Sequence, residues 1–225
     1  MPNEQDYRPL LNRTLAATAA CIVVVVVCYY FVDRPVAFYV HNHGVDKFAL
    51  FKWLTYPPPI VQTWSPLVLA LLALRRAWGP WQRWQQVLFV ACVSLIVADQ
   101  FRYTLGDAAG RDWPETWHDD NPSLIGNGTY GFHPFHADDD EGSFPSGHAA
   151  RIAGFLSVFW LALPRGRWLY AIVAVPMLVA LVAMNYHFVG DVIAGCVVGG
   201  IVGVWAARLG SLDNSAVEFR LSSTP

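Results

Sequence analysis

Two histidines in this chain stand where proton or phosphoryl transfer could be carried out. His148 closes the segment Phe144-Pro145-Ser146-Gly147-His148. Proline suits a helix start, Ser146 can cap that start, and Gly147 lets backbone approach a ligand closely. The free N–H groups of such a helix N-terminus attract anions, and a histidine in the first turn can donate a proton to one. His187 opens the segment His187-Phe-Val-Gly-Asp191. Spacing i, i+4 sets both side chains on one helical face. A carboxylate bonded to one imidazole nitrogen fixes the tautomer and leaves the other nitrogen free to attack. The competing reading is a structural His–Asp pair. The cations follow from the same logic. Arg102 and Arg111 lie shortly after an apolar run, Arg151 lies one helical turn after His148, and guanidinium matches phosphate oxygens in bidentate fashion. Arg102 could instead serve only to pair with Asp99 at i, i+3, and Arg151 could snorkel to lipid headgroups.

The elements that must position these groups are membrane helices. Of the 225 residues, 55% are hydrophobic and only 14% charged, and ten are tryptophan, whereas an average soluble domain carries about 25% charged residues. Six apolar segments, at 14–32, 58–74, 84–101, 147–163, 168–188 and 191–207, approach the ~20 residues that a spanning helix needs. The first ends in bulky Cys-Tyr-Tyr-Phe-Val rather than the small residues of a cleavage site, so it reads as an uncleaved anchor. Residues 34–56 mix charge with aromatics and are expected to lie at the interface as a short amphipathic helix. The short basic connections 75–83 and 164–167 fall on one side and the acidic loop 106–145 on the other, which by the positive-inside rule puts both termini in the cytoplasm. The expected fold is therefore all-α and polytopic, one domain over residues 1–225, with six transmembrane helices and a long extracytoplasmic loop between the third and fourth. Asp99, Arg102, His148, Arg151, His187 and Asp191 then gather near the outer ends of their helices. Ionisable groups in a membrane are costly enough to imply function. Gly195, Gly199 and Gly203 form a small-xxx-small stripe that allows two helices to approach closely.

With these residues in view, the stretch from about 95 to 205 resembles the type 2 phosphatidic acid phosphatases, which share a site with vanadium haloperoxidases and glucose-6-phosphatase. Pro145-Ser146-Gly147-His148 matches the middle motif of that family fully. His187 and Asp191, followed by Ala194-Gly195, match the second half of the third motif. The first motif, Lys-x6-Arg-Pro, is degenerate: Arg102 stands near the lysine position, Gly110-Arg111 resembles an internal Gly-Arg, and Trp113-Pro114 replaces Arg-Pro. The third motif's Ser-Arg is replaced by Ala180-Leu181, so one phosphate-binding arginine is missing, and Arg151 is expected to supply that charge with Arg102 and Arg111. The resemblance implies a metal-independent, cofactor-free membrane phosphatase for a lipid-linked phosphate monoester or pyrophosphate. It also implies His187 as nucleophile forming a phosphohistidine, His148 as general acid and then base, Asp191 orienting His187, and a phosphate site built from Arg102, Arg111, Arg151, Ser146 and Gly147. Spacing alone would not assign nucleophile and acid.

The charge pattern holds no basic block for nucleic acid. The expected location is the plasma (inner) membrane, multi-pass, with the site on the periplasmic side. His133 and His136 near Asp138–Glu141 could suggest a metal site, but such acidic runs are more often solvated turns; the loop's aromatics fit a lid over a lipid headgroup better. A phosphotransferase between lipids would use the same groups. A haloperoxidase, a transporter and a catalytically weak relative that only binds lipid phosphates are the other readings.

Overall fold

A computed structural model describes residues 7–117, 120–135 and 142–212. Helix α1 (Arg8–Val27) runs through a π-helical turn (Cys28–Val32) into α2 (Asp33–Asn42), and α3 (Ala49–Leu54) leads into α4 (Pro57–Arg76). Then come α5 (Arg83–Ala109), α6 (Gly147–Ala162), α7 (Arg167–Ala183) and α8 (Val189–Leu209). Among the described residues there is no strand ladder, only isolated bridges between Arg111 and Phe132 and between Trp113 and Ser123.

Among the described residues, five helical segments are long and apolar enough to cross a membrane: Arg8–Asn42, Ala49–Arg76, Arg83–Ala109, Pro164–Ala183 and Val189–Leu209. The sixth expected span, 147–163, forms α6, which has 16 residues. At 1.5 Å per residue it is roughly 24 Å long, short of the ~30 Å hydrocarbon core. Ser146 starts it as N-cap, accepting from the Ala149 N–H, and Pro164, which cannot continue a helix, follows its last turn.

The N-terminal region differs from the expectation of a span ending at 32 and one interfacial helix over 34–56. The helix does not stop at Val32: it continues to Asn42. Asp33, placed outside the membrane span by its charge, is instead 1% exposed. Its charge is met inside the protein by Arg111, so the helix need not end to return it to water. The short α3, which leads into the span ending at Arg76, has Phe48, Leu50 and Trp53 exposed around it.

The centre of the bundle is the crossing of α6 and α8, with α5 packed on both. Small residues make it possible. A Cβ on Gly199 would lie 2.1 Å from the Ala150 carbonyl oxygen, and one on Gly195 would lie 2.4 Å from that of Ser146. Gly203 faces Ser157 and Gly154 in the same way. This is the close packing that the glycine stripe announced. Ser94 of α5 donates to the Gly154 carbonyl at 2.9 Å. At the far end Arg83 reaches the carbonyls of Ala162 and Leu212, while Tyr7 stacks on Trp205 and Trp205 donates to Thr14. The start of α1 is thereby tied to the end of α8.

Candidate active site

At the opposite end, α5 closes on Gly110, which has φ +56 and no room for a side chain: a Cβ there would lie 2.2 Å from the His133 carbonyl oxygen. Glycine alone combines that backbone with that contact. The chain leaves α5 through this turn into a loop that folds back over the bundle. The loop is pinned by backbone bonds from His133 N–H to Gly110, Asp112 N–H to Gly131 and Ser143 N–H to Arg111. It then enters α6 at Ser146, whose own N–H donates to the Asp191 carbonyl at 3.0 Å. The starts of α6 and α8 are thus bonded to each other, and the two histidines arrive together: the rings of His148 and His187 lie 6.3 Å apart between centroids.

His187 sits in the turn between α7 and α8 and is 6% exposed. The expected partner of its Nδ1 was Asp191. The structure puts Asp191 Oδ2 at 3.9 Å, too long for a hydrogen bond, and gives Nδ1 the backbone carbonyl of Ser143 at 3.0 Å. A carbonyl only accepts, so Nδ1 carries the proton and Nε2 keeps its lone pair. Asp191 instead holds the turn, accepting the Phe188 N–H at 2.9 Å. Burial, then the nearby His148 ring, push the His187 pKa down; Arg102 and Arg151 add to this against the raising effect of the Ser143 carbonyl, and the result is about 3. The ring is neutral at physiological pH, the state a nucleophile requires.

The three arginines divide. Arg102 on α5 and Arg151 on α6 share Asp99: Arg151 Nε donates to Asp99 Oδ1 at 2.8 Å, and Arg102 Nε lies 3.8 Å from the same oxygen. Gln62 of α4 donates to Asp99 Oδ2 at 2.6 Å. Gly147 contributes space, because a Cβ there would sit 2.8 Å from Arg102 Nε. The close approach expected between Gly147 and a ligand is made by this guanidinium. The structure engages Arg111 differently from the sequence expectation of a phosphate contact. Its side chain is 1% exposed, with Nη1 bonded to Asp191 Oδ1 and Nη2 donating to Asp33 Oδ2 at 2.7 Å. Burial opposes its charge, but the facing Asp191 and Asp33 more than reverse this and hold its pKa above the ordinary value.

Ala180 and Leu181, where the family motif carries Ser-Arg, are fully buried. Leu181 packs with Met177, Ile152 and Val192, so α7 brings no cation to the site at that position. Trp113 packs at 5.3 Å from the His187 ring. His133 pairs with Asp112 at 3.2 Å. His136 and Asp138–Glu141 lie outside the described residues, and among the described residues no cluster of metal-ligating side chains forms. Asp33, Gln62 and the Ser143 carbonyl are the site groups that sequence reasoning missed. An acid at the end of one apolar run and an amide inside another were the available signals; a backbone carbonyl leaves none.

Apolar helices thus carry paired imidazoles and arginines to one end of the bundle. The model of the PAP2 superfamily matches residues 86–214, more than half of the chain, and the chain belongs to that superfamily. Among curated proteins it is similar to the lipid A 1-phosphatase of Rhizobium etli, 33% identical over 115 residues, which are 49% of this chain and 47% of the relative. The lipid A 1-phosphatase of Rhizobium johnstonii is 34% identical over 92 residues, 41% of this chain and 35% of the relative. The matches thus span less than half the length of these relatives. No solved structure matches.

Proposed function

We propose that the chain is a membrane phosphatase that removes phosphate from a lipid-linked phosphate monoester or pyrophosphate, with a phosphorylated glycolipid such as lipid A 1-phosphate as the first substrate to test. The observation that carries this reading is the pair of imidazoles 6.3 Å apart beside two arginines tied to one carboxylate. Family membership and the two similar lipid A 1-phosphatases support it.

The substrate phosphate docks against Arg102 and Arg151 and the first-turn amides of α6, N–H groups that the helix itself leaves unsatisfied. His187 Nε2 attacks phosphorus in line, and the bond from phosphorus to the leaving oxygen breaks as His148 gives that oxygen a proton. General acid catalysis of this kind contributes roughly 100- to 10,000-fold. Water, deprotonated by His148, then cleaves the phosphorus–nitrogen bond and returns His187. Arg111 holds Asp191 rather than the phosphate. In this reading α6 is the sixth crossing, both termini are cytoplasmic, and the site opens on the extracytoplasmic side.

The test is phosphate release by the purified, detergent-solubilised protein against lipid A 1-phosphate, phosphatidic acid, phosphatidylglycerol phosphate and polyprenyl pyrophosphate, with and without chelator and with a lipid acceptor present or absent. Release is expected from one of these lipids and none from His187→Gln. Turnover by His187→Gln would overturn the nucleophile assignment. Transfer to the acceptor in place of release would make the protein a phosphotransferase.

A further inference from the structure

Asp33 precedes the residues that the superfamily model matches, yet it is joined to His187 by three routes. Along the backbone, Gly190 N–H donates to Asp33 Oδ1 at 2.9 Å, three residues beyond the histidine. Through side chains, Asp33 Oδ2 accepts Arg111 Nη2 at 2.7 Å, Arg111 Nη1 bonds Asp191 Oδ1, and Asp191 Oδ2 holds the Phe188 N–H. Through the loop, the Arg111 carbonyl accepts the Ser143 N–H at 2.9 Å, and the Ser143 carbonyl accepts His187 Nδ1. Arg111 is therefore the hub of both the carboxylate and the carbonyl that face Nδ1, and Asp33 is what anchors Arg111 on its far side.

The surroundings make that anchor strong. The rings of Phe188 and Phe132 lie 4.5 and 4.9 Å from the Arg111 guanidinium carbon, with Tyr29 and Tyr130 at 5.6 and 5.8 Å. Tyr130 donates to the Tyr29 carbonyl at 2.6 Å and stacks on its ring. Space is also tight: a Cβ on Gly190 would lie 3.0 Å from Asp33 Oδ2 and 3.4 Å from Arg111 Nη1. In a site shielded from water a bonded carboxylate interacts strongly with its partners, and groups that orient a functional histidine through its other nitrogen set its tautomer.

We propose that Asp33, from the N-terminal helix, is a positioning residue for His187, acting through Arg111, Asp191 and Ser143. This rests on the phosphatase reading for its kinetic consequence, but its geometric content is testable without turnover. Asp33→Asn keeps an acceptor for the Gly190 amide and removes the negative charge that faces Arg111; Asp33→Ala removes both. In the full-length protein in detergent, with 15N-labelled histidine, the His187 resonances are identified by their loss in His187→Gln. The wild type is expected to show one Nδ1–H tautomer, and Asp33→Asn a shifted or mixed one. Against the best lipid phosphate, Asp33→Asn is expected to lower kcat on the order of 10-fold, as loss of an orienting partner does at other sites, with KM changed by less than about twofold. Wild-type resonances and wild-type kcat in Asp33→Asn, with only a lower Tm, would reduce Asp33 to a structural residue and overturn the proposal. If Asp33→Ala does not fold, the asparagine variant decides alone. If the wild type releases no phosphate from any lipid, the phosphatase reading fails, and the tautomer comparison still decides whether Asp33 positions the ring.

Discussion

The same residue type sits in two opposite arrangements in this molecule, one around Asp99 and one around Arg111. Around Asp99, two guanidinium groups share one carboxylate, and the cluster is left with a net positive charge beside the two histidines. Around Arg111, two carboxylates enclose one guanidinium, and four aromatic rings close over it. The first arrangement has charge to offer an incoming phosphate. The second has none to spare and can only hold its neighbours in place. In the proposed function, the number of carboxylates that meet an arginine separates the two that bind phosphate from the one that braces the site.

The largest effect should come from breaking the enclosed cluster. Arg111→Met leaves Asp33 and Asp191 buried without their cation, and removing one partner of a buried ion pair costs about 3–5 kcal/mol. Thermal unfolding in detergent is expected to show that loss. An unchanged Tm with a raised KM would instead return Arg111 to the phosphate site. Next comes the open cluster. Arg151→Ala should weaken phosphate binding by the worth of a charged hydrogen bond, about 1.5–3 kcal/mol or ~10- to 150-fold. It should be read as a higher KM and a weaker inhibition by inorganic phosphate, with a smaller change in Tm than Arg111→Met. Unchanged activity would remove Arg151 from the site. A milder break is Gln62→Leu, which takes one donor from Asp99 and should cost about 0.5–1.5 kcal/mol, visible as a KM rise of a few-fold.

The smallest effect is a pH dependence that sharpens the same contrast. The folded-state pKa of His187 lies near 3 against an ordinary 6.5, so in between the unfolded chain binds a proton that the folded one refuses. Stability contributed by the neutral ring is full above about 6.5 and is lost as pH falls toward 3. His187→Gln should flatten that part of the stability–pH curve, while Arg151→Ala should leave its direction unchanged. A curve with the same acid slope in His187→Gln would assign the slope to other groups.

Much of this was legible in the residues. The apolar runs marked the helices because a chain in lipid must satisfy its backbone within helices, and Gly195, Gly199 and Gly203 marked the α8 face that meets α6. Pro145-Ser146-Gly147-His148 marked the start of α6, where Ser146 caps the helix, since a local cap is a property of neighbouring residues. The partners were not legible. Asp33 and Arg111 are 78 residues apart, and Gln62 and Asp99 are 37 apart. Even the nearby Asp191 yielded its place at Nδ1 to a carbonyl, because His187 lies just before α8 begins rather than within it, so the helical spacing did not bring the side chains together.

The sequence by itself determined that apolar helices carry histidines and arginines, and which short segments cap them. Only the tertiary structure decided which arginines share one carboxylate and which is enclosed by two. Charge type is a property of one residue, whereas the balance of charge around it depends on how distant helices pack.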